Sequence, residues 1–295
     1  MSMKFTKMNA LGNDFIVIDA INQTIHLTPT QIISLANRYT GIGFDQCLII
    51  EKSQTPQIDF FYRIFNANGQ EVGQCGNGAR CLARFIEHYG LSNQKKIRIA
   101  TKTTQMNLKI NADKTVTVEM EPPEWDPQKI PFLTEKEADT YELPLNHQST
   151  KKTKIIHRIH ALSIGNPHAI TIVENVGSVD INTLGKAISE HPFFPEQSNA
   201  SFMQIINPRH IKLRVYERGC GETLACGSAA VASVAVGRRF YQLESQVSVT
   251  LPGGNLLVNW PSQKNPIGFT GPASFVYEGV LLFHTNDKAL PKTQY

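Results

Sequence analysis

Two cysteines occur in nearly the same local sequence, 151 positions apart. Cys75 and Cys226 each lie twelve residues after an arginine and four residues after a glutamate. Each is followed by a glycine and other small residues, and then by an alanine-rich apolar run. A second pair of matched segments, Gly12-Asn13 and Gly165-Asn166, has a similar separation of 153 positions. The two offsets predict a chain built from two copies of one fold, with a thiol at the same place in each copy.

The composition is that of a globular protein and narrows the class of function. The chain has 295 residues, of which 41% are hydrophobic and 18% are charged, enough to bury the cores of two domains. The net charge of +4 is modest and the basic clusters are short, so we expect no nucleic-acid partner. No apolar run approaches the roughly 20 residues of a membrane span, and the start of the chain has no signal-peptide pattern. Five cysteines are too few for a disulfide framework, so we expect a cytoplasmic protein with reduced thiols and no membrane partner.

A proline-rich segment between the two copies predicts the domain boundary. Residues 121–132 contain four prolines, which exclude a regular helix or a central strand. We therefore expect an N-terminal domain over 1–122 and a C-terminal domain over 123–272, with a last strand over 273–288 that returns to the first domain. The apolar run after Cys226 is apolar on every side, which requires an enclosed helix. The fold class is therefore mixed α/β (α+β), in two pseudo-symmetric domains that each wrap a mostly antiparallel sheet around a central helix.

Each thiol is expected at the N-terminus of a helix, which gives it acid–base chemistry. A helix N-terminus carries unpaired N–H groups and about half a positive charge, and both favour a thiolate. The amides of Gly76-Asn77 and Gly227-Ser228 would form an anion site for a substrate carboxylate. With a thiol on each face of the adjacent α-carbon, one side could lose a proton while the other gains one. The duplicated thiols therefore predict a reaction that inverts one carbon centre.

The thiols allow three other interpretations. A zinc site would combine Cys75 and Cys81 with Cys220 and Cys226, but their five-residue gaps are not those usual for zinc and no paired histidines complete the set. A nucleophilic enzyme with His168 as the base needs one thiol and leaves the second unexplained. A non-enzymatic protein that closes on a small amino acid would need neither thiol. We expect no metal.

Six motifs, in this order, resemble those of the diaminopimelate epimerase family. The resemblance covers about residues 4 to 283, and its motifs are Lys7-Met8-Asn9-Ala10-Leu11-Gly12-Asn13-Asp14-Phe15, Gly43-Phe44-Asp45-Gln46, Phe65-Asn66-Ala67-Asn68-Gly69, Cys75-Gly76-Asn77-Gly78-Ala79-Arg80, Gly165-Asn166-Pro167-His168, and Tyr216-Glu217-Arg218-Gly219 with Glu222-Thr223-Leu224-Ala225-Cys226-Gly227-Ser228. The resemblance implies an isomerase that converts LL-2,6-diaminopimelate to the meso form used for lysine and peptidoglycan, without pyridoxal phosphate or any other cofactor. It also implies two domains of one topology that enclose the substrate in the cleft between them, and a homodimer.

The resemblance also implies roles for individual residues. Cys75 and Cys226 would be the acid–base pair, while His168 and Glu217 would be catalytic residues that tune these thiols. Tyr277 would contribute to dimerisation. The residues implied to bind substrate are Asn13, Gln46, Asn66, Gly76, Asn77, Asn166, Asn199, Glu217, Arg218, Gly227 and Ser228.

Two positions depart from the family pattern. Ala229 stands where the family often has glycine, and Cys220 adds a thiol inside the glycine turn Gly219–Gly221. The nearest enzyme alternative is a related two-cysteine racemase acting on proline or hydroxyproline. Such an enzyme would not need the charged pair Glu217-Arg218 for a second zwitterionic end, so the substrate range separates the two.

Overall fold

The computed structural model describes residues 2–134, 136–147, 150–263 and 265–282, and it divides into two compact units. Unit 1 runs up to Val118 and resumes at Gly271, and unit 2 is Glu119–Thr270. The sequence placed the corresponding boundaries at 122/123 and 272/273. Residues 283–288 of the expected last strand lie outside the described residues, and the assignment of the units as duplicated domains stays a prediction. In the described part of the chain, no helix is long and apolar enough to cross a membrane.

Strands outnumber helices along the chain. The helices are α1 (Pro29–Ala36), α2 (Gly76–His88), α3 (Lys186–Ser189) and α4 (Gly227–Phe240). The strands are β1 (Ser2–Ala10), β2 (Asn13–Asp19), β3 (Gln46–Lys52), β4 (Phe60–Asn66), β5 (Glu71–Val72), β6 (Lys96–Ala100), β7 (Gln105–Ile110), β8 (Val116–Met120), β9 (Tyr141–His147), β10 (Thr150–Ser163), β11 (Pro167–Ile172), β12 (Asn199–Asn207), β13 (His210–Glu217), β14 (Gly221–Thr223), β15 (Gln246–Leu251), β16 (Gly254–Asn259), β17 (Ile267–Gly271) and β18 (Ser274–Leu282).

The two units pair their strands in the same order and with the same orientations. In unit 1, β1 is antiparallel to β2, β2 is parallel to β3, and β3 is antiparallel to β4. Strand β4 then pairs antiparallel with β5 and parallel with β6, which is antiparallel to β7. Strands β10 to β16 of unit 2 repeat this sequence of pairings step by step. The first strand of each set has one more antiparallel neighbour, β18 beside β1 and β9 beside β10. The expected fold of two similar, mostly antiparallel units is confirmed.

One helix packs at the centre of each unit. Helix α2 contacts β1, β2, β3 and β7, and α4 contacts the matching strands β10, β11, β12 and β16. The buried apolar residues of α2 are Ala79, Cys81, Leu82, Ala83, Phe85 and Ile86. In α4 every residue from Ala229 to Val236 is buried, because sheet strands cover the helix on several sides. The sequence prediction of an enclosed helix after each thiol is confirmed.

An ion pair fixes the hairpin that leads to each thiol. In unit 1, Arg63 Nε and Nη2 contact the two carboxylate oxygens of Glu71 at 3.0 and 3.1 Å. In unit 2, Arg214 makes the same two contacts with Glu222 at 2.7 and 3.0 Å. A two-point guanidinium–carboxylate contact has a defined orientation as well as a favourable energy. The arginine and glutamate that precede each cysteine in the sequence therefore hold the two strands of the hairpin in register.

Removing one side chain from the centre of unit 1 tests this packing. Leu82 is fully buried in α2, so Leu82→Ala should lower the free energy of unfolding by about 2–5 kcal/mol through lost burial and a residual cavity. Denaturant titration followed by circular dichroism measures the loss. The control is Ile33→Ala on α1, whose side chain is 50% exposed and whose loss should be small. Equal losses in the two variants would contradict a packed central helix.

Candidate active site

Both cysteines are the N-cap residues of the central helices. Cys75 precedes α2 and Cys226 precedes α4, each with an extended backbone at φ of −154° and −133°. The N–H of Gly78 donates to Cys75 Sγ at 3.3 Å. This sulfur therefore takes the acceptor position that a serine or aspartate oxygen has in an ordinary N-cap. An acceptor sulfur at the positive end of a helix favours the thiolate form.

The Cys226 thiol faces a carboxylate instead. Its Sγ lies 3.1 Å from Oε2 of Glu217 and 3.5 Å from Oγ of Ser228. Burial raises the pKa of Cys226 well above its ordinary value, and the negative charge of Glu217 raises it further. The prediction that a helix end lowers the pKa of both thiols is therefore wrong for Cys226. Burial and an adjacent anion outweigh the helix dipole at this position.

Glu217 is held in place by two donors. Thr223 Oγ1 donates to Oε1, and the Cys226 thiol donates to Oε2. Burial raises the pKa of Glu217, and these two hydrogen bonds act in the opposite direction. A carboxylate that accepts from sulfur keeps Cys226 in the thiol form, which is the form that can give up a proton. The position of Glu217 in the repeat corresponds to Asn66 in unit 1, so only one of the two copies has a carboxylate here.

His168 belongs to a chain of contacts among the predicted binding residues of unit 2. It lies fully buried in β11 and pairs with Asn199 of β12 in the parallel register. Its Nε2 is 3.1 Å from Oδ1 of Asn166, and the backbone N–H of Arg218 donates to Oδ1 of Asn199 at 2.9 Å. Burial lowers the pKa of His168 to about 3, and the Arg218 charge acts in the same direction. The imidazole is therefore neutral at neutral pH.

Unit 1 assembles the corresponding side chains as neutral amides. Asn77 Nδ2 lies 3.5 Å from Oδ1 of Asn13, and Gln46 Nε2 donates to Oδ1 of Asn66 at 2.8 Å. Gln46 and Asn66 are opposite each other in the pairing of β3 with β4. Phe15 of β2 is the counterpart of His168 and pairs with Gln46 at the start of β3. The two units thus share one arrangement but differ in charge.

Asp45, for which the sequence predicted no role, orients one of the predicted binding residues. Its Oδ2 accepts from Nδ2 of Asn13 at 2.8 Å and from the backbone N–H of Asp14 at 3.0 Å. Arg38 contacts both Asp45 and Asp14 at 2.8 Å, and Lys7 Nζ contacts Asp14 at 2.6 Å. Burial raises the pKa of Asp14, but hydrogen bonds from Arg38 and Lys7 hold it well below its usual range. A sequence signal for a role of Asp45 is its position inside the motif Gly43-Phe44-Asp45-Gln46.

The predicted carboxylate site consists of the first residues of the two central helices. Gly76 and Asn77 open α2, and Gly227 and Ser228 open α4. The first N–H groups of a helix have no partner within the helix, so each end is suited to an anion. Gly227 also has a steric reason to be glycine, because a Cβ there would lie 2.6 Å from the ring of Phe269. Each unit therefore has one helix end of the kind that the predicted carboxylate site requires.

The other cysteines differ from the two N-cap thiols. No disulfide joins any of the five, and Cys47 and Cys81 are buried while Cys220 is exposed in its turn. Burial raises the pKa of Cys47 and of Cys81, which keeps these thiols protonated. Within the described ranges, no group of three or more His, Cys, Asp or Glu side chains is placed to hold a metal ion.

Sequence comparisons give one consistent family. A family model described as diaminopimelate epimerase matches residues 5–125 and 160–276. A diaminopimelate epimerase of Legionella pneumophila (strain Paris) is 58% identical over 282 residues, which are 96% of this chain and 100% of that protein. The diaminopimelate epimerase of the Corby strain has the same identity and coverage.

Solved structures share the fold at low sequence identity. A hydroxyproline epimerase from Agrobacterium vitis has a TM-score of 0.66 and 12% identity, covering 95% of this chain and 92% of its own. A probable proline racemase from Agrobacterium radiobacter has a TM-score of 0.68 and 12% identity, covering 97% and 94%. A PhzF-family phenazine biosynthesis protein from Bacillus anthracis has a TM-score of 0.66 and 14% identity, covering 96% and 100%. At these identities the likeness establishes the fold alone.

The lowered pKa of His168 gives a test of its neutral state. The pKa falls from 6.5 to about 3 in the folded protein, so its ring signals in NMR spectra should not titrate between pH 5 and 8. The contribution of the neutral His168 ring to the free energy of unfolding is complete above pH 6.5. It is lost as the pH falls from 6.5 toward 3, because in this range His168 binds a proton in the unfolded chain but not in the folded protein. His168→Phe, the residue type at the matching position of unit 1, should remove this part of the acid dependence. An NMR inflection near pH 6.5 would contradict the assignment.

Proposed function

The chain belongs to the diaminopimelate epimerase family, and on that premise we propose that it interconverts LL- and meso-2,6-diaminopimelate. It is an isomerase that inverts one α-carbon in the synthesis of lysine and peptidoglycan precursors. The observation that carries the proposal is that a cysteine is the N-cap residue of the central helix in each of the two matched units. A reaction whose substrate and product differ only in the side on which a hydrogen sits needs a proton acceptor on one face and a donor on the other.

We propose that Cys75 acts first as the base and Cys226 as the acid. The Cys75 thiolate removes the α-proton and becomes a thiol, while the Cys226 thiol delivers its proton to the opposite face and becomes a thiolate. The two cysteines exchange roles in the reverse direction. Supporting this assignment, Cys75 Sγ accepts a hydrogen bond from Gly78, whereas Cys226 Sγ donates to Glu217. Glu217 thus acts through Cys226. The neutral His168 is buried and does not carry the transferred proton.

The negative charge that develops during proton removal needs stabilisation. We assign the carboxylate of the reacting end to the helix-end amides of Gly76, Asn77, Gly227 and Ser228. Donors that are fixed before the reaction lose no energy in reorienting as charge builds on the carboxylate. This preorganisation takes the place of an electron-withdrawing cofactor, so we propose activity without pyridoxal phosphate and without a metal.

The distal end of the substrate carries a second ammonium and a second carboxylate. Such an end requires partners of both signs. We assign this role to polar side chains that the hydrogen bonds of each unit gather together, namely Asn13, Gln46, Asn66, Asn166, Asn199, Glu217 and Arg218. Among them, the Arg218 guanidinium is exposed enough to meet a ligand, although its Nη1 also donates to the carbonyl of Glu196 at 2.9 Å. This requirement favours diaminopimelate over proline or hydroxyproline, which have one zwitterionic end.

Isotope exchange at the α-carbon tests the reaction. In deuterated buffer with a reductant, the protein should convert LL-diaminopimelate to the meso form and introduce one solvent deuterium at the inverted carbon. Cys75→Ala and Cys226→Ala should each reduce inversion by about 10²- to 10⁴-fold, the usual contribution of a positioned acid or base. The matched control is Cys220→Ala, which removes an exposed thiol and should leave inversion unchanged.

The same assay separates the alternatives. Inversion of proline or hydroxyproline without inversion of diaminopimelate would replace the substrate assignment and keep the two-thiol reaction. Inversion that persists in either alanine variant would contradict the two-base mechanism. Turnover abolished by excess chelator or by a carbonyl reagent would contradict the proposed independence from metals and cofactors.

We propose that the protein is a cytoplasmic homodimer in which β18 contributes to the interface. On β18 the side chains of Val276, Val280 and Leu282 are 57%, 56% and 65% exposed, although all three are apolar. Tyr277 is 46% exposed and packs edge to face against Phe5. A row of exposed apolar residues on a strand favours burial against another molecule. The absence of disulfides among the five cysteines is typical of a reducing compartment.

A charge on this strand should dissociate the dimer. Val280→Glu is expected to give a monomer in sedimentation equilibrium, because a carboxylate would be buried without a partner. Tyr277→Ala should weaken the association in the same assay. Ile206→Ser, which replaces another apolar side chain that is 42% exposed, is the control and should leave the mass unchanged. A native protein of monomer mass would refute the proposed interface.

A further inference from the structure

The carbonyl group two residues before each thiol is held by the same turn of each unit. In unit 1 the carbonyl of Gly73 accepts from Oγ1 of Thr101 at 2.5 Å and from Oγ1 of Thr103 at 3.0 Å. At the repeat offset of the cysteines, the matching carbonyl in unit 2 is that of Leu224, which accepts from the backbone N–H of Gly253 at 2.8 Å. The donors lie between β6 and β7 in unit 1 and between β15 and β16 in unit 2. Each unit therefore ties the segment before its thiol to the matching turn.

The two units make this contact with different chemical groups. Residues 101–104 separate β6 from β7, whereas only residues 252–253 separate β15 from β16. The longer turn of unit 1 brings side-chain hydroxyls to the carbonyl, and the shorter turn of unit 2 brings a backbone N–H. A contact that is kept while the turn length and the donors change is not a by-product of one turn geometry. It indicates that the carbonyl itself must be held.

The Thr101 hydroxyl joins the turn to the segment before Cys75. Its oxygen accepts from the backbone N–H of Thr103 at 3.3 Å and of Thr104 at 3.1 Å, while its proton is donated to the Gly73 carbonyl. The backbone N–H of Thr101 also donates to the carbonyl of Thr104 at 2.9 Å, which closes the turn. A hydroxyl has one donor position and two acceptor positions. All three are used here, so the direction of the bond to Gly73 is fixed.

Glycine at position 73 leaves the space that the second threonine occupies. A Cβ on Gly73 would lie 2.0 Å from Oγ1 and 2.8 Å from Cγ2 of Thr103. Threonine is branched at Cβ and has few side-chain conformations, so it cannot move aside at low cost. In unit 2, where a backbone N–H makes the contact, the matching residue is Leu224, and its side chain is 52% exposed. The residue type at position 73 therefore fits the hydroxyl contacts of unit 1.

Holding this carbonyl restricts the position of the Cys75 sulfur. The segment is fixed upstream by the pair of Arg63 with Glu71 and downstream by the bond from the Gly78 N–H to Cys75 Sγ at 3.3 Å. Gly73 lies midway between Glu71 and Cys75, so a shift of its carbonyl would move the backbone that carries the thiol. A displacement of about 1 Å in a reacting group can lower a rate by about 10²-fold. The threonine contacts are therefore placed to matter for catalysis.

We propose that Thr101 and Thr103 are positioning residues that fix the sulfur of Cys75 by holding the carbonyl of Gly73. The inference rests on the proposed function in taking Cys75 as one of the two acid–base thiols. The threonines touch no reacting atom in this assignment and act through the backbone of residues 73–75. Their loss should slow proton transfer more than it weakens substrate binding.

Hydrogen exchange at the Gly78 amide tests the placement of the thiol without substrate, because this N–H donates to Cys75 Sγ. Thr101→Val keeps the shape of the side chain and removes the hydroxyl. It should raise the exchange rate of the Gly78 amide in NMR spectra by about tenfold, the effect of one lost hydrogen bond. Thr101→Ser keeps the hydroxyl and should retain the native rate. Thr115→Val is the matched control, because its hydroxyl donates to Asp113 at 2.7 Å in another turn of unit 1. Unchanged Gly78 exchange in folded Thr101→Val would overturn the proposal.

A second variant covers the case in which Thr101→Val does not fold. Thr103 is exposed, so Thr103→Val should fold, and it should raise Gly78 exchange by about threefold because one of the two hydroxyl contacts remains. Native exchange at Gly78 in this variant would count against the proposal.

Kinetics of diaminopimelate inversion supply the catalytic arm of the test. Thr101→Val should lower kcat by about tenfold and leave KM within about twofold, since an interaction that acts on the chemical step lowers kcat. Thr101→Ser should restore kcat. A raised KM with an unchanged kcat would contradict a role in placing the thiol. The exchange measurements contain no diaminopimelate, so a failure of the substrate assignment would leave the placement of Cys75 intact. Native exchange at Gly78 would refute the role of the threonines and leave the two-thiol reaction standing.

Discussion

The N–H groups at the start of each buried helix are the constraint on which the arrangement of the site depends. A helix enclosed by strands cannot satisfy its first N–H groups with water as an exposed helix does, so the residue before it must supply an acceptor or leave room for an anion. In both units that residue is a cysteine, and the following residues are small. The hairpin that precedes each cysteine is fixed by an arginine–glutamate pair, Arg63 with Glu71 and Arg214 with Glu222. The position of each sulfur therefore follows from the packing of the helix and the register of the hairpin together.

On this shared frame the two units carry different charges. Unit 2 has Glu217 and a neutral His168 where unit 1 has Asn66 and Phe15. Unit 1 has Arg80 where unit 2 has Val231. Burial raises the pKa of Cys226, and the Glu217 carboxylate raises it further. A helix end favours the thiolate, but its effect is weaker than that of a charge in contact with the sulfur. The frame sets where the thiols lie, and the Glu217 carboxylate favours the protonated form of Cys226.

The sequence predicted the features that repeat and missed those that depend on contacts between distant residues. The spacing of the arginine, glutamate and cysteine predicted two copies of one fold, and the apolar run after Cys226 predicted an enclosed helix. The pKa of Cys226 was predicted in the wrong direction, because burial of the thiol raises it and the contact with Glu217 at 3.1 Å, nine positions earlier, raises it further. The link between Asp45 and Asn13 spans 32 positions and has no periodic signal. Patterns of spacing report local structure and repeats, whereas the sign of a pKa shift depends on tertiary contacts.

A reaction between near mirror images does not require the two units to carry the same side chains, because only one of the two thiols holds a proton at a time in the proposed mechanism. In the proposed mechanism the two thiols share one proton. If both surroundings were identical, the proton would occupy each sulfur equally, and half of the molecules would present two unsuitable groups to any given isomer. Glu217 favours the state with the proton on Cys226, because its carboxylate accepts from that sulfur. The same bias makes the form with the proton on Cys75, which the other isomer requires, less populated. The repeated strand pairing supplies a thiol at the same place in each unit, and the different side chains around Cys226 favour its protonated form.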